Sequence, residues 1–132
     1  MAHHNITGSI GEMVAEDFLR QKGFEIVSKN YRKPYGEIDI VSREKTGKYR
    51  FIEVKTVSWE TSRGEPETVS HETHRPEENV HPAKVRRLMN VIQAYVLSHK
   101  VEDWQFDVIA VYLDQKSKQA KVRHLENVIL GS

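Results

Sequence analysis

Charged and apolar residues alternate along two short segments of this chain, Gly36–Val41 and Phe51–Thr56, and this pattern constrains the fold most. A two-residue period is typical of β-strands, whose successive side chains point to opposite faces. The polar stretch 44–48, centred on Gly47, separates the two segments in the manner of a hairpin turn. We therefore predict two neighbouring antiparallel strands, each with one apolar and one charged face.

The charged face of each predicted strand carries residues that are rarely needed for packing alone. In the first strand Glu37 and Asp39 share a face, and Ile38 and Ile40 share the other. In the second strand the charged residues Glu53 and Lys55 share one face. The apolar residues Ile52 and Val54 share the other. A hairpin register would bring two acids and a lysine together.

Asp39, Glu53 and Lys55 are the residue types that metal-assisted phosphodiester hydrolysis requires. Carboxylate oxygens bind Mg²⁺ at about 2.1 Å, and Mn²⁺ takes the same ligands. The bound cation lowers the pKa of a water molecule and polarises the phosphate, while a nearby lysine orients the water or neutralises developing charge. We interpret Asp39 and Glu53 as ligands of Mg²⁺ or Mn²⁺ and Lys55 as the catalytic lysine, with Glu12 of the first helix as a further catalytic and metal-binding candidate.

Each of these residues also has an ordinary structural interpretation. An acid and a lysine two positions apart on a strand usually form a solvated face with cross-strand pairs. Glu12 follows Ser9 at the spacing of a helix capping box. Asp107, inside an apolar run, fits either a buried hydrogen-bonded acid or an edge residue. A zinc site at His71 and His74 is disfavoured, because the surrounding sequence has no helical period.

The remaining sequence predicts an α/β domain with the order α-β-β-β-α-β-β, a central mixed sheet of about five strands flanked by helices. The further elements are a helix at 7–22, a strand at 24–31, a helix at 82–100 that begins at Pro82, and strands at 105–113 and 120–125. The irregular stretch 57–81 predicts a long mobile loop. All 132 residues are expected to form one nuclease-like domain.

Composition excludes several classes of protein. The chain has no cysteine, so disulfides, zinc–cysteine sites and cysteine nucleophiles are excluded. Its net charge of +1 argues against a purely electrostatic, histone-like binder. No signal peptide or membrane-spanning run is evident, so we expect a cytoplasmic protein with no membrane partner.

Basic residues supply candidate contacts to a nucleic-acid backbone. Lys84, Arg86 and Arg87 cluster in the first turns of the second predicted helix. Such a cluster can contact phosphates, although it is also common on solvated helix faces, and basic groups there oppose the helix dipole.

Several motifs in this chain together resemble the bacterial UPF0102 (YraN-like) family, a branch of the restriction-endonuclease-like nuclease superfamily. The motifs that carry the resemblance are Gly11-Glu12 with Ala15 and Leu19, Gly23-Phe24, Asn30-Tyr31-Arg32, the segments 36–41 and 51–56, Val80-His81-Pro82-Ala83-Lys84 with Arg86, Arg87 and Leu88, and Phe106-Asp107-Val108. The resemblance extends over nearly the whole chain, and it adds Arg32 to the nucleic-acid-binding candidates.

The resemblance implies a restriction-endonuclease-like core, similar to that of archaeal Holliday-junction resolvases. The superfamily's site pattern falls on Glu12, Asp39, Glu53 and Lys55. The related resolvases act on branched DNA as dimers, so branched DNA and a homodimer become expectations. The chain departs from the family pattern at Val57, where the family often has arginine, and in the length of its 57–81 loop.

Three functions follow as hypotheses. The first is a Mg²⁺- or Mn²⁺-dependent endonuclease acting on nucleic acid, DNA and branched DNA above all. The alternative is a non-catalytic nucleic-acid-binding module with a nuclease-like fold. The third is an interaction protein whose long loop is the contact surface.

Overall fold

The computed structural model describes residues 2–59 and 82–130. The elements follow the predicted order; they are α1 (Ala2–Gln21), β1 (Glu25–Lys33), β2 (Gly36–Arg43), β3 (Tyr49–Trp59), α2 (Pro82–His99), β4 (Trp104–Asp114) and β5 (Gln119–Leu125). Pro82 is the first residue of α2, where its fixed backbone angle and missing N–H are tolerated. None of the helices in these two ranges is long and apolar enough to cross a membrane.

The strands form one five-stranded sheet in the order β1-β2-β3-β4-β5. β3 and β4 are parallel, and every other neighbouring pair is antiparallel. A parallel pair cannot be joined by a tight turn, and α2 lies in the chain between its two strands. The predicted mixed sheet flanked by helices is therefore confirmed, as is the β2–β3 hairpin.

The first helix, α1, covers one face of the sheet. Ala15 and Leu19 are fully buried there against Ile40, Ile52 and Ile109. These helix residues are four apart and therefore lie on one side of α1. Burying such side chains is the main driving force that fixes a helix to a sheet.

The second helix, α2, covers the opposite face. Its buried residues are Leu88, Val91, Ile92 and Tyr95. They pack with sheet residues that alternate with those beneath α1, namely Ile38, Val41, Phe51, Phe106 and Val108. The predicted shared face of Ile52 and Val54 is confirmed, because both pack under α1, but the opposite face is not charged throughout, because α2 covers apolar residues there.

The backbone of β2 leaves its regular alternation around Asp39. Ile38 packs in the cluster under α2, whereas Ile40 packs in the cluster under α1. The prediction that these two isoleucines share a face is thus incorrect. In the neighbouring strand Asn30 has a left-handed φ of 53°, an unusual conformation that marks the same place in the sheet. Asn30 lies between the pairs Lys29–Ile40 and Tyr31–Ile38, opposite Asp39.

Two element boundaries also differ from prediction. The first helix begins at Ala2, so Ser9 and Glu12 lie within it, and their capping-box interpretation is wrong. β3 continues to Trp59, because its parallel pairing with β4 extends that far. Residues 57–59 of the predicted loop are therefore strand. The rest of that loop, with His71, His74 and His81, lies outside the described residues.

Candidate active site

The candidate site begins where β2 and β3 separate. Their ladder ends at the pair Ile40–Ile52, two residues before Val54. The Val54 N–H instead donates a 2.8 Å hydrogen bond to Oδ2 of Asp39. A carboxylate side chain thus replaces a strand carbonyl as the acceptor. This hydrogen bond holds Asp39 beside the part of β3 that follows the last residue paired with β2.

The surroundings of Asp39 disfavour its negative charge. Burial and the nearby Glu53 carboxylate raise the pKa of Asp39 to about 7, with smaller contributions from Glu12 and Glu37. The Val54 N–H opposes this shift, because it stabilises the ionised form. Repulsion between acids held this close is relieved by a cation, so the donor set suits a hard divalent ion.

Glu53 lies one residue before Val54, and only 8% of its surface is exposed. Its Oε2 is 2.5 Å from Nζ of Lys84 and 3.8 Å from Nζ of Lys55. The two lysines come from different elements, since Lys84 is in the first turn of α2 and Lys55 is on β3. A nearly buried carboxylate here is balanced by two ammonium groups.

The two lysines respond differently to this arrangement. Burial and the proximity of Lys84 lower the pKa of Lys55, and the two acids only partly restore it. Burial is the largest influence on Lys84 and works against its charge, but the hydrogen bond to Glu53 and the charges of the nearby acids together outweigh burial and raise its pKa. Lys55 is therefore the less tightly held ammonium group of the pair.

Glu12 approaches the same site from α1, which packs closely against the end of β3. A Cβ atom at Gly11 would lie 1.9 Å from Oγ1 of Thr56, so only glycine allows this approach. Burial and repulsion from Glu37 raise the pKa of Glu12, while a hydrogen bond from Asn30 lowers it. Glu12 therefore belongs to the same group of interacting acids as Asp39.

An open cleft of about 790 Å³ joins these elements. It is lined by all four predicted catalytic residues, Glu12, Asp39, Glu53 and Lys55, together with Lys84 and neighbouring polar side chains. An adjoining depression contains Asp39 and Glu53 again, with Glu37 and Arg87 at its edge. The structure brings the predicted catalytic set together, and their carboxylates fit Mg²⁺ or Mn²⁺ as oxygen donors.

The predicted nucleic-acid contacts occupy three different environments. Lys84 lies inside the acid cluster, a position that local sequence pattern does not predict. Arg87 borders the depression, and Arg86 is exposed on the same helix. Arg32 Nε donates a 2.9 Å hydrogen bond to Glu37 at the surface. A positive charge at the start of α2 interacts unfavourably with the helix dipole, and the acidic partner of Lys84 offsets this effect.

A second group of possible metal ligands lies elsewhere in the fold. Ligand atoms of Asp107, His124 and Glu126 all lie within 4.8 Å of one another. Asp107 is completely buried and accepts four hydrogen bonds, from His124 Nε2, Arg50 Nη1, the Asn127 N–H and the Gln105 side chain.

These contacts identify Asp107 as a buried hydrogen-bonded acid. Burial opposes its charge, but the hydrogen bonds prevail and lower its pKa to about 2. Arg50 also contacts Glu126 at 2.5 Å and so already neutralises the cluster. We therefore interpret this second group as a structural anchor between β3, β4 and the end of the chain.

Comparison with known proteins places the chain in a family. The model of the uncharacterised protein family UPF0102 matches residues 11–111, which include the whole candidate site. The chain belongs to the UPF0102 family. It is 34% identical over 128 residues to a UPF0102 protein of Flavobacterium psychrophilum, with 96% of each chain covered.

Other UPF0102 relatives are similar over most of their length. Identity is 37% to a protein of Alkaliphilus oremlandii, covering 91% of this chain and 94% of the relative. Identity is 38% to one of Syntrophotalea carbinolica, covering 89% and 85%. Among solved structures, Pyrococcus furiosus SfsA in complex with Ca²⁺ matches with a TM-score of 0.39 and 11% identity, over 93% of this chain and 63% of that chain.

Proposed function

We propose that this UPF0102 protein is a Mg²⁺- or Mn²⁺-dependent endonuclease that hydrolyses phosphodiester bonds in nucleic acid. The observation that carries the proposal is the convergence of Asp39, Glu53 and Lys55 in one cleft. Asp39 and Glu53 come from strands that separate at this point, and the Val54 N–H fixes the Asp39 carboxylate. DNA is the substrate we favour, and branched DNA is the form to test first.

The two carboxylates would hold the cation. Burial and the neighbouring acids raise the pKa of Asp39, so binding of the cation should release a proton from this carboxyl group. When bound, the cation would activate water and polarise the phosphate. Glu12 reaches the cleft from the opposite helix and supplies a further carboxylate for the cation or its waters.

Lys55 would act on the reacting phosphate. Its ammonium group lies beside Glu53 but at 3.8 Å, a distance too long for a strong ion pair. It is therefore available to orient the attacking water or to stabilise negative charge on the phosphorus centre. Arg87 lines the adjoining depression and would contact the nucleic-acid backbone.

A cleavage assay tests this proposal. Linear, flapped and four-way DNA, with RNA included, would be incubated with wild type and Glu53→Gln protein in Mg²⁺ or Mn²⁺. Glu102→Gln removes an exposed acid and serves as the matched control. We expect metal-dependent cleavage of at least one substrate by wild type and the control, and about 100-fold slower cleavage by Glu53→Gln.

The same assay separates the alternative function. Salt-sensitive binding to nucleic acid without any metal-dependent cleavage would favour a non-catalytic binding module. Equal cleavage by wild type and Glu53→Gln would refute the assigned site, because activity would then originate elsewhere. Gel filtration at several protein concentrations would show whether a homodimer, as expected from the resemblance, is formed.

A further inference from the structure

Lys84 contacts the acid cluster directly instead of projecting from the outer surface of α2. Its Nζ donates a charge-assisted hydrogen bond to Glu53 Oε2 over 2.5 Å, so the two groups are in direct contact. Lys55, the lysine expected at such a site, is farther from the same oxygen, at 3.8 Å. Within residues 2–59 and 82–130, the closest positive charge to this candidate metal ligand therefore comes from α2.

An ammonium group and a divalent cation compete when both approach one carboxylate oxygen at short range. The ammonium group occupies lone-pair density that the cation needs, and the two positive charges repel each other. Glu53 is nearly buried, so solvent screens this repulsion only weakly. A cation that takes Glu53 Oε2 as a ligand therefore weakens the contact of Lys84 with this oxygen and favours its displacement.

We propose that Lys84 is a built-in competitor of the divalent cation for Glu53 and thereby limits the metal affinity of the site. This inference rests on the proposed function, because it assumes that Glu53 is a metal ligand. Lys84 is well suited to the exchange, since its long side chain starts in the first turn of α2 and lines both parts of the cleft.

Displacement from Glu53 would leave Lys84 inside the cleft and available to a phosphate group. A bound polyanion would attract Lys84, weaken its hold on Glu53 and so favour the cation. By linkage, the cation would strengthen the polyanion contact to the same extent. Lys84 would therefore couple the binding of metal to the binding of nucleic acid.

Calorimetric titration with Mn²⁺ alone tests the competition without any requirement for activity. Lys84→Gln should bind Mn²⁺ about two- to tenfold more tightly than wild type, as expected for loss of one partly exposed competing charge. Arg86→Gln removes the same charge from an exposed position on the same helix and should stay within about twofold of wild type. Lys84→Arg keeps the charge and should restore affinity close to that of wild type.

Unchanged or weaker Mn²⁺ binding by Lys84→Gln, with a native circular dichroism spectrum, would overturn the inference. Lys84 would then merely support Glu53. Including Asp39→Asn distinguishes this outcome from failure of the proposed function. If Asp39→Asn abolishes binding but Lys84→Gln does not tighten it, only the competition fails. If wild type binds no Mn²⁺, or Asp39→Asn binds it equally well, both proposals fail.

Discussion

Replacing Asp39 by asparagine should stabilise the fold at neutral and alkaline pH, although it removes a proposed metal ligand. In the folded protein burial and Glu53 raise the pKa of Asp39 from 3.8 to about 7. The folded state therefore binds this proton more tightly than the unfolded chain, and stability must fall as pH rises between these two values. At 1.36 kcal/mol per pKa unit, the full penalty above the folded pKa is about 4 kcal/mol.

Asparagine avoids this penalty and keeps the main local contact. Its side-chain oxygen can accept the Val54 N–H that Asp39 accepts at 2.8 Å. The stability gain should therefore be small near pH 4, grow as pH rises, and become constant above about pH 7. Allowing for structural relaxation, we expect a gain of about 2–4 kcal/mol at about pH 8, and about 1–2 kcal/mol at about pH 5.

Urea unfolding of wild type and Asp39→Asn, in buffer with a chelator, measures these gains. Asp17→Asn removes the same charge from an exposed position on α1 and controls for net charge. A gain equal at both pH values, or a loss of stability at about pH 8, would show that the ionised Asp39 carboxylate does not destabilise the fold. Added Mn²⁺ should then stabilise wild type and leave Asp39→Asn unchanged.

Three further changes test other parts of the account. Arg50→Met should reduce the free energy of unfolding by about 3–5 kcal/mol in urea denaturation, because it strips a charged partner from buried Asp107; a loss below about 1 kcal/mol would contradict the anchor role. Gly11→Ala should lower the free energy of unfolding by about 1–3 kcal/mol, whereas Gly8→Ala, at a position with open space around it, should raise it by up to about 1 kcal/mol. Equal changes in the melting temperatures of the two variants would be inconsistent with a close approach at Gly11 alone. Lys55→Met should slow single-turnover cleavage about 100-fold and change Mn²⁺ affinity by less than about tenfold, and an unchanged rate would exclude its catalytic role.

Local pattern predicted most of the architecture. The two-residue alternation located β2 and β3, and the polar turn between them fixed their antiparallel pairing. Pro82 marked the beginning of α2 because few other helical positions tolerate proline. The catalytic candidates on β2 and β3 followed from the same alternation, and the hairpin brings them close although the paired residues end at Ile40–Ile52.

Features that depend on distant contacts were not predictable in this way. Ile38 and Ile40 pack on opposite faces of the sheet because β2 is locally irregular between them. The Asp39–Val54 hydrogen bond lies at this irregularity. The position of Lys84 depends on where α2 crosses the sheet, which no short-range pattern encodes. A basic residue in the first turn of a helix was nevertheless a signal, because it opposes the dipole unless an acid compensates it.

The errors in the predicted element boundaries also arose because local sequence pattern does not report contacts between distant residues. The spacing of Ser9 and Glu12 imitates a capping box, but the helix starts at Ala2 and carries both residues within it. The end of β3 was placed too early because the polarity of the following residues resembles a loop. Parallel pairing with β4 supplies the hydrogen bonds that keep residues 57–59 in the strand.

The most direct test of the metal site is an anomalous diffraction map from crystals soaked in Mn²⁺. We expect a peak within bonding distance of carboxylate oxygens of both Asp39 and Glu53, with Lys84 Nζ moved away from Glu53. A peak at Asp107, His124 and Glu126 instead, with none between Asp39 and Glu53, would show that the cleft does not bind the catalytic cation.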